Sequence, residues 1–239
     1  LIDIIDDPGS TSDSATEVLD RFNMVLVQMG QNGYIKNSID VRAPIAPLYF
    51  RSESLGGTFS ADLGVSTQIG LRILDDILSL DPQNTSFTTN TAIYLKSGIE
   101  KKLSIGYATP VFSYGESELH AGAKVNLINM ELSKQTTRLL DLDGEEVSDV
   151  IQDEYDKNLA STTALGIDVG VVWDADWYRL GLTIDNLNSP SFEYGAVGLD
   201  CVSRGENNIE RNSCEIASYF VDQGRLRSRE SHTKHARTR

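Results

Sequence analysis

The sequence predicts an all-β fold: an antiparallel transmembrane β-barrel, preceded by a short amphipathic helix. Three observations carry this reading. Apolar and polar residues alternate over long stretches, beginning with residues 58–73. The polar positions hold Gly, small and charged residues, which suits a barrel interior. Aromatics fall at strand ends, as in an interfacial girdle: Tyr94, Tyr107, Phe112, Tyr114, Trp173, Trp177, Tyr178, Phe192 and Tyr194.

The elements follow in order. The first fifteen residues are acidic and rich in Ser and Gly, the composition of a loop. Val18, Leu19, Phe22, Val25, Leu26 and Met29 then recur at helical spacing, behind capping residues Ser12–Ser14. A helix is expected over Ala15–Gly30, with Gly30 and Gly33 ending it. Ala43-Pro44-Ile45-Ala46-Pro47 reads as extended and irregular. The period then changes to two. Phe59, Ala61, Leu63, Val65, Thr67, Ile69, Leu71 and Ile73 alternate with Thr58, Ser60, Asp62, Gly64, Ser66, Gln68, Gly70 and Arg72, and only Thr67 dilutes the apolar face. A helix would scramble these two sets.

Phe87, Ile93, Leu95 and Ile99 form the next apolar face, and Lys101-Lys102 reads as a turn into a short strand of Leu103, Ile105 and Tyr107. Leu119, Ala121, Ala123, Val125 and Leu127 follow. Leu165–Trp173 and Tyr178–Ile184 make a hairpin about Ala175-Asp176. The acidic stretch from Asp141 to Asn158 is placed on a loop or short surface helix. Residues 1–50 are thus expected to form an N-terminal segment whose helix is a possible plug. Residues 51–239 would carry the barrel strands, with a disulfide loop at 200–215. The strands are few for a closed barrel, so either further strands lie in the less regular regions or the sequence is a truncated barrel.

Composition narrows the function. The formal net charge is −14, which argues against general nucleic-acid binding, where Lys and Arg must neutralise phosphates. No apolar run approaches the length of a membrane helix. Barrel strands escape that test, because alternation averages their hydropathy. The N-terminus, beginning Leu1-Ile2-Asp3, shows no basic leader region. An exported protein would have lost its leader, or the sequence begins late.

The candidate sites are few. Cys201 and Cys214 lie in one polar stretch. A disulfide stapling that loop implies an oxidising compartment, and two free thiols in a cytosolic loop is the other reading. Asp62, Gln68, Arg72, Lys96, Lys124, Asp168, Arg179 and Asp185, with Thr58 and Ser60, are expected to face the lumen. Phe59, Leu63, Ile69, Leu71, Leu165, Val169, Val171, Leu180 and Leu182 are expected to face lipid. Arg225, Arg227 and Arg229, spaced by two, would share one face of a strand and line the lumen for anions. The competing reading is a solvated segment or a partner for the acidic loops. Asp141-Leu142-Asp143-Gly144-Glu145-Glu146 supplies only part of a calcium loop, and His232 with His235 is a weak metal pair. No metal or cofactor is expected. No nucleophile stands with a base, so catalysis is not expected either.

Ala43–Pro47, Gly56-Gly57 opening a long strand, Leu165–Gly170, the hairpin Tyr178–Leu187, the Cys segment and Glu230–Arg237 together resemble the conjugal-transfer TraF-like family of outer-membrane barrels, distantly like the FadL type. The resemblance covers most of the chain. It implies a bacterial outer-membrane location, outer-membrane lipid as surroundings, other conjugation or envelope proteins as partners, and a role in plasmid transfer or pilus assembly. The family continues with further strands. A FadL-type channel for hydrophobic small molecules and a soluble β-sandwich binding module are the alternative readings.

Overall fold

The computed structural model describes residues 15–81, 86–142, 152, 154–205 and 209–239. Helix α1 (Ala15–Asn32) leads into β1 (Tyr34–Ser52) and β2 (Gly57–Leu74). Two short strands, β3 (Ser79–Asp81) and β4 (Ser86–Thr88), pair in the next connection. The long strands β5 (Ala92–Tyr114) and β6 (Ser117–Arg138) follow, then β7 (Ala160–Ala175) and β8 (Tyr178–Asp185). The C-terminal part holds β9 (Ser191–Glu193), a 3-10 turn at Cys201–Arg204, helix α2 (Ile209–Asp222), β10 (Ser231–Thr233) and β11 (Arg237–Thr238). Seven strands form one antiparallel sheet, ordered β1-β2-β5-β6-β7-β8-β11, curled into a half-barrel.

The two faces separate as the alternation requires. On the convex face Leu63, Leu103, Leu127 and Leu165 stand in one row, each the Cα partner of the next across β2, β5, β6 and β7. They are 52%, 40%, 46% and 55% exposed, so no second layer covers them among the described residues. On β6 and β7 the apolar belt runs from Leu119 and Trp173 to Leu127 and Leu165. That is about nine residues, roughly 30 Å of strand. Beyond it the convex face turns polar, with Lys101 paired to Glu131 at 2.6 Å and Asn129 bonded to Thr163 at 3.0 Å.

The concave face carries the opposite parity, including Gly64, Gly70, Gly98, Gly106, Gly122, Gly166, Gly170 and Gly181. Curling crowds this side. A Cβ at Gly106 would lie 2.6 Å from Ser60 Oγ, and one at Gly98 would lie 2.8 Å from Leu132 Cδ2. The small residues therefore permit the curvature, which a larger side chain would oppose.

Connections are short at one end and long at the other. Turns at 53–56, 115–116 and 176–177 join β1–β2, β5–β6 and β7–β8. Gly56 (φ 65°) and Gly115 (φ 60°) supply the left-handed backbone that two of them need. Phe50, Phe59, Tyr107, Phe112, Tyr114, Trp173, Trp177 and Tyr178 gather at this end. Phe59 and Tyr107 rings lie 4.9 Å apart, Trp177 and Tyr178 rings 4.7 Å.

Four sequence expectations change. The sheet starts at Tyr34, so the division at residue 50 falls inside β1; its prolines sit where the β1–β2 register shifts between Ala43 and Leu48, and this bulge hides the alternation. Lys101-Lys102 is not a turn, because β5 runs straight through it with one lysine on each face. The Cys segment is a 3-10 turn and a helix rather than an open loop. Among the girdle candidates, Tyr94 and Phe192 are buried on the concave side.

Candidate functional site

The concave face and the segment that covers it form a region where charged side chains converge. Asp62, Gln68, Arg72, Lys96, Lys124, Asp168, Arg179 and Asp185 all lie on it, placed by the period-two parity of β2, β5, β6, β7 and β8. Arg179 stands apart at the short-turn end, bonded to Asp174 on the adjacent strand. The others are brought together with groups far away in sequence.

The cover comes from the C-terminus. α2 lays Ile216 and Phe220 against Leu74, Ala92 and Tyr94, with Leu226 completing this cluster. Phe192 packs on Ile128, Met130 and Leu132. Residues 225–239 then run as a strap across the wall. Arg225 donates to the Asp75 carbonyl and carboxylate, each at 2.5 Å, and Arg72 Nη2 donates to the Arg225 carbonyl at 2.8 Å. Lys134, wholly buried, donates to the Arg227 carbonyl at 2.7 Å. Lys96 meets Glu230 at 2.5 Å and lies 5.0 Å above the Tyr194 ring. Lys234 meets Glu100 at 2.5 Å, and Arg239 meets Asp185 at 3.1 Å.

This arrangement corrects the reading of the arginine triplet. Residues 225–229 are not a strand, so alternate positions share no face. Arg225 is turned to Asp75 and lies 5.1 Å over the Phe220 ring. Arg227 and Arg229 are exposed. Helix α1 sits at the β2–β3 end. Asn23 exchanges hydrogen bonds with the Leu78 backbone at 2.8 and 3.2 Å, and Gly30 lies against the Asp75 side chain.

Between strap and wall lies a cleft of about 570 Å³, with Asp62, Glu100, Lys102, Lys124, Asp168 and Asp185 on the wall and 232–239 opposite. Asp168 is its best-connected group. It accepts from Asn126 Nδ2 at 2.8 Å and from the Asn186 amide at 2.8 Å, with Lys124 Nζ at 3.7 Å. His232 is held below the usual imidazole range, first by burial and then by the positive Lys234, with Lys96 and Lys36 acting in the same direction. Burial, then the Glu230 carboxylate, pushes the Tyr194 phenol up.

Metal chemistry finds no built site. Among the described residues no three His, Cys, Asp or Glu side chains group to hold an ion. Asp141 is taken by Arg138 at 2.7 Å, and residues 143–150 of the acidic segment lie outside the described residues, as do residues 1–14.

Cys201 and Cys214 are bonded, with S–S 1.95 Å and Cα atoms 5.4 Å apart. The bond ties the 3-10 turn to the helix that supplies Ile216 and Phe220. Free-thiol labelling of the unreduced, unfolded protein is expected to give no signal. Cys201→Ser with Cys214→Ser should lower stability by about 3 kcal/mol in denaturant titration, the usual figure for so short a loop. Clear labelling of both thiols would refute the staple.

Sequence reasoning missed Lys36, Lys102, Lys134 and Glu230 as members of this site. For Lys102 and Lys134 a signal existed, since the alternation continues through both. For Glu230 none did, because its partner is distant in the chain.

A family model described as F plasmid transfer operon, TraF, protein matches residues 1–239. No curated protein and no solved structure matches significantly.

Proposed function

The chain belongs to the family of F plasmid transfer operon TraF proteins, and on that premise we propose that it serves plasmid transfer as an outer-membrane β-barrel whose bore is covered by its own C-terminal strap. One observation carries the reading: a convex apolar belt that no described residue covers, about nine residues tall, bounded by aromatics at one edge and polar residues at the other. A tilted membrane strand needs about 9–11 residues. A soluble sheet would pack such a face on a core.

The connections support the same orientation logic. Outer-membrane barrels keep short turns on the periplasmic side and long connections outside. Here the disulfide lies in the long connection after β8, and an oxidising compartment suits it. The proposed surroundings are outer-membrane lipid, with other transfer or envelope proteins as partners. No catalysis is proposed. The charged concave face disfavours a path for hydrophobic solutes of FadL type.

Reconstitution tests the reading. The protein is expected to enter the outer-membrane fraction, to need detergent or lipid for folding, and to migrate differently before and after heating. Folding to a monodisperse species in plain buffer would sink it and favour the β-sandwich. Uptake of a hydrophobic solute by loaded liposomes would instead favour a FadL-type channel.

A further inference from the structure

We propose that the cleft between the C-terminal strap and the concave wall binds a phosphate-bearing anionic solute, held by Lys36, Lys102 and Arg237. The argument begins with the charge balance. The chain has 35 acidic and 21 basic side chains. Around the cleft the balance reverses: Lys36, Lys102, Lys124, Lys234, Arg237 and Arg239 face Asp62, Glu100, Asp168 and Asp185.

Pairing sharpens the excess. Lys234 is matched to Glu100, Arg239 to Asp185, and Lys124 to Asp168. Asp168 is further occupied by Asn126 and the Asn186 amide. Among the described residues Lys36, Lys102 and Arg237 have no carboxylate within 4 Å, and Asp62 is the one lining carboxylate left without a cation. These three cations come from β1, β5 and β11, so the sheet and the strap both contribute.

Cations in a walled cleft concentrate field and draw anions, more so than on a flat surface. Ammonium groups act on phosphate as point charges, and a guanidinium can take two of its oxygens at once. The cleft, at about 570 Å³, has room for more than inorganic phosphate, so a phosphate ester of metabolite size fits its dimensions.

The inference rests on the cleft alone and not on the membrane reading. Equilibrium dialysis of the folded full chain, in detergent, measures pyrophosphate and inorganic phosphate binding at constant ionic strength against chloride. Saturable binding is expected, tighter for pyrophosphate. Lys102→Met and Arg237→Met should each weaken it about tenfold, the usual effect of losing one charge-assisted contact, and Asp62→Asn should tighten it. Circular dichroism selects variants that fold. No saturable binding, or binding that Lys102→Met and Arg237→Met leave unchanged, overturns the proposal. Fractionation of the same protein decides the membrane reading separately, so either can fail alone.

Discussion

Ile105→Arg with Val125→Arg is expected to prevent the protein from folding into lipid bilayers while sparing its secondary structure in denaturant-free micelles. The two side chains are Cα partners inside the exposed convex belt, with Tyr107 and Ala123 on one side of them and Leu103 and Leu127 on the other. A lipid-facing Arg near the bilayer midplane costs about 2–4 kcal/mol. Two neighbours cost more than one, and their like charges add repulsion. The control is Asn129→Arg, on the same strand and face but beyond the belt, where the cost should fall to about 0–1 kcal/mol. Denaturant titration in thin-tailed lipid vesicles measures the difference. If the belt pair folds as well as the control, the convex face does not meet lipid. If it folds better in buffer than the parent, that face is a soluble surface.

Charge reversal in the strap should open the bore. Glu230→Lys and Lys234→Glu place like charges against Lys96 and Glu100, where the parent has contacts of 2.5 Å. Half-buried like charges at such separations repel strongly, so the strap should leave the wall. Planar-bilayer recording is expected to show little current from the intact protein and large, stable currents from the doubly reversed one. Restoring the pairs from the other side, with Lys96→Glu and Glu100→Lys added, should close it again. Deleting the α1 residues 15–32 should leave conductance unchanged, because that helix sits at the β2–β3 end. Stable, large currents from the intact protein would rule out a covered bore. A rise on α1 deletion alone would return the plug to the N-terminus.

Much of the sheet was legible because its signal is local. In β2 each residue's face follows from its parity, and the register with β5 keeps that parity without a shift from Thr58 to Leu74. Reading failed where local signals conflict. Pro44 and Pro47 concealed β1, since proline removes a ladder donor and is associated with edges and bulges. Lys101-Lys102 looked like a turn because two adjacent charges usually mark solvent, yet one belongs to the convex polar rim and the other to the cleft. The arginines at 225, 227 and 229 have the even spacing of a strand face, but Ser228 breaks the apolar alternation that Leu226 begins, and the segment is not a strand.

By itself the sequence determined which side chains share a side of each long strand, because a strand's period of two is a property of the backbone and holds wherever the strand goes. It also carried the cysteine pair and the glycines that let the sheet curl. Only the tertiary structure decided what covers the concave face. Lys134 meets Arg227 across 93 residues and Asp75 meets Arg225 across 150. Such pairings depend on the path of the whole chain and on which surfaces remain unburied when the sheet has formed, and no period in the sequence encodes either.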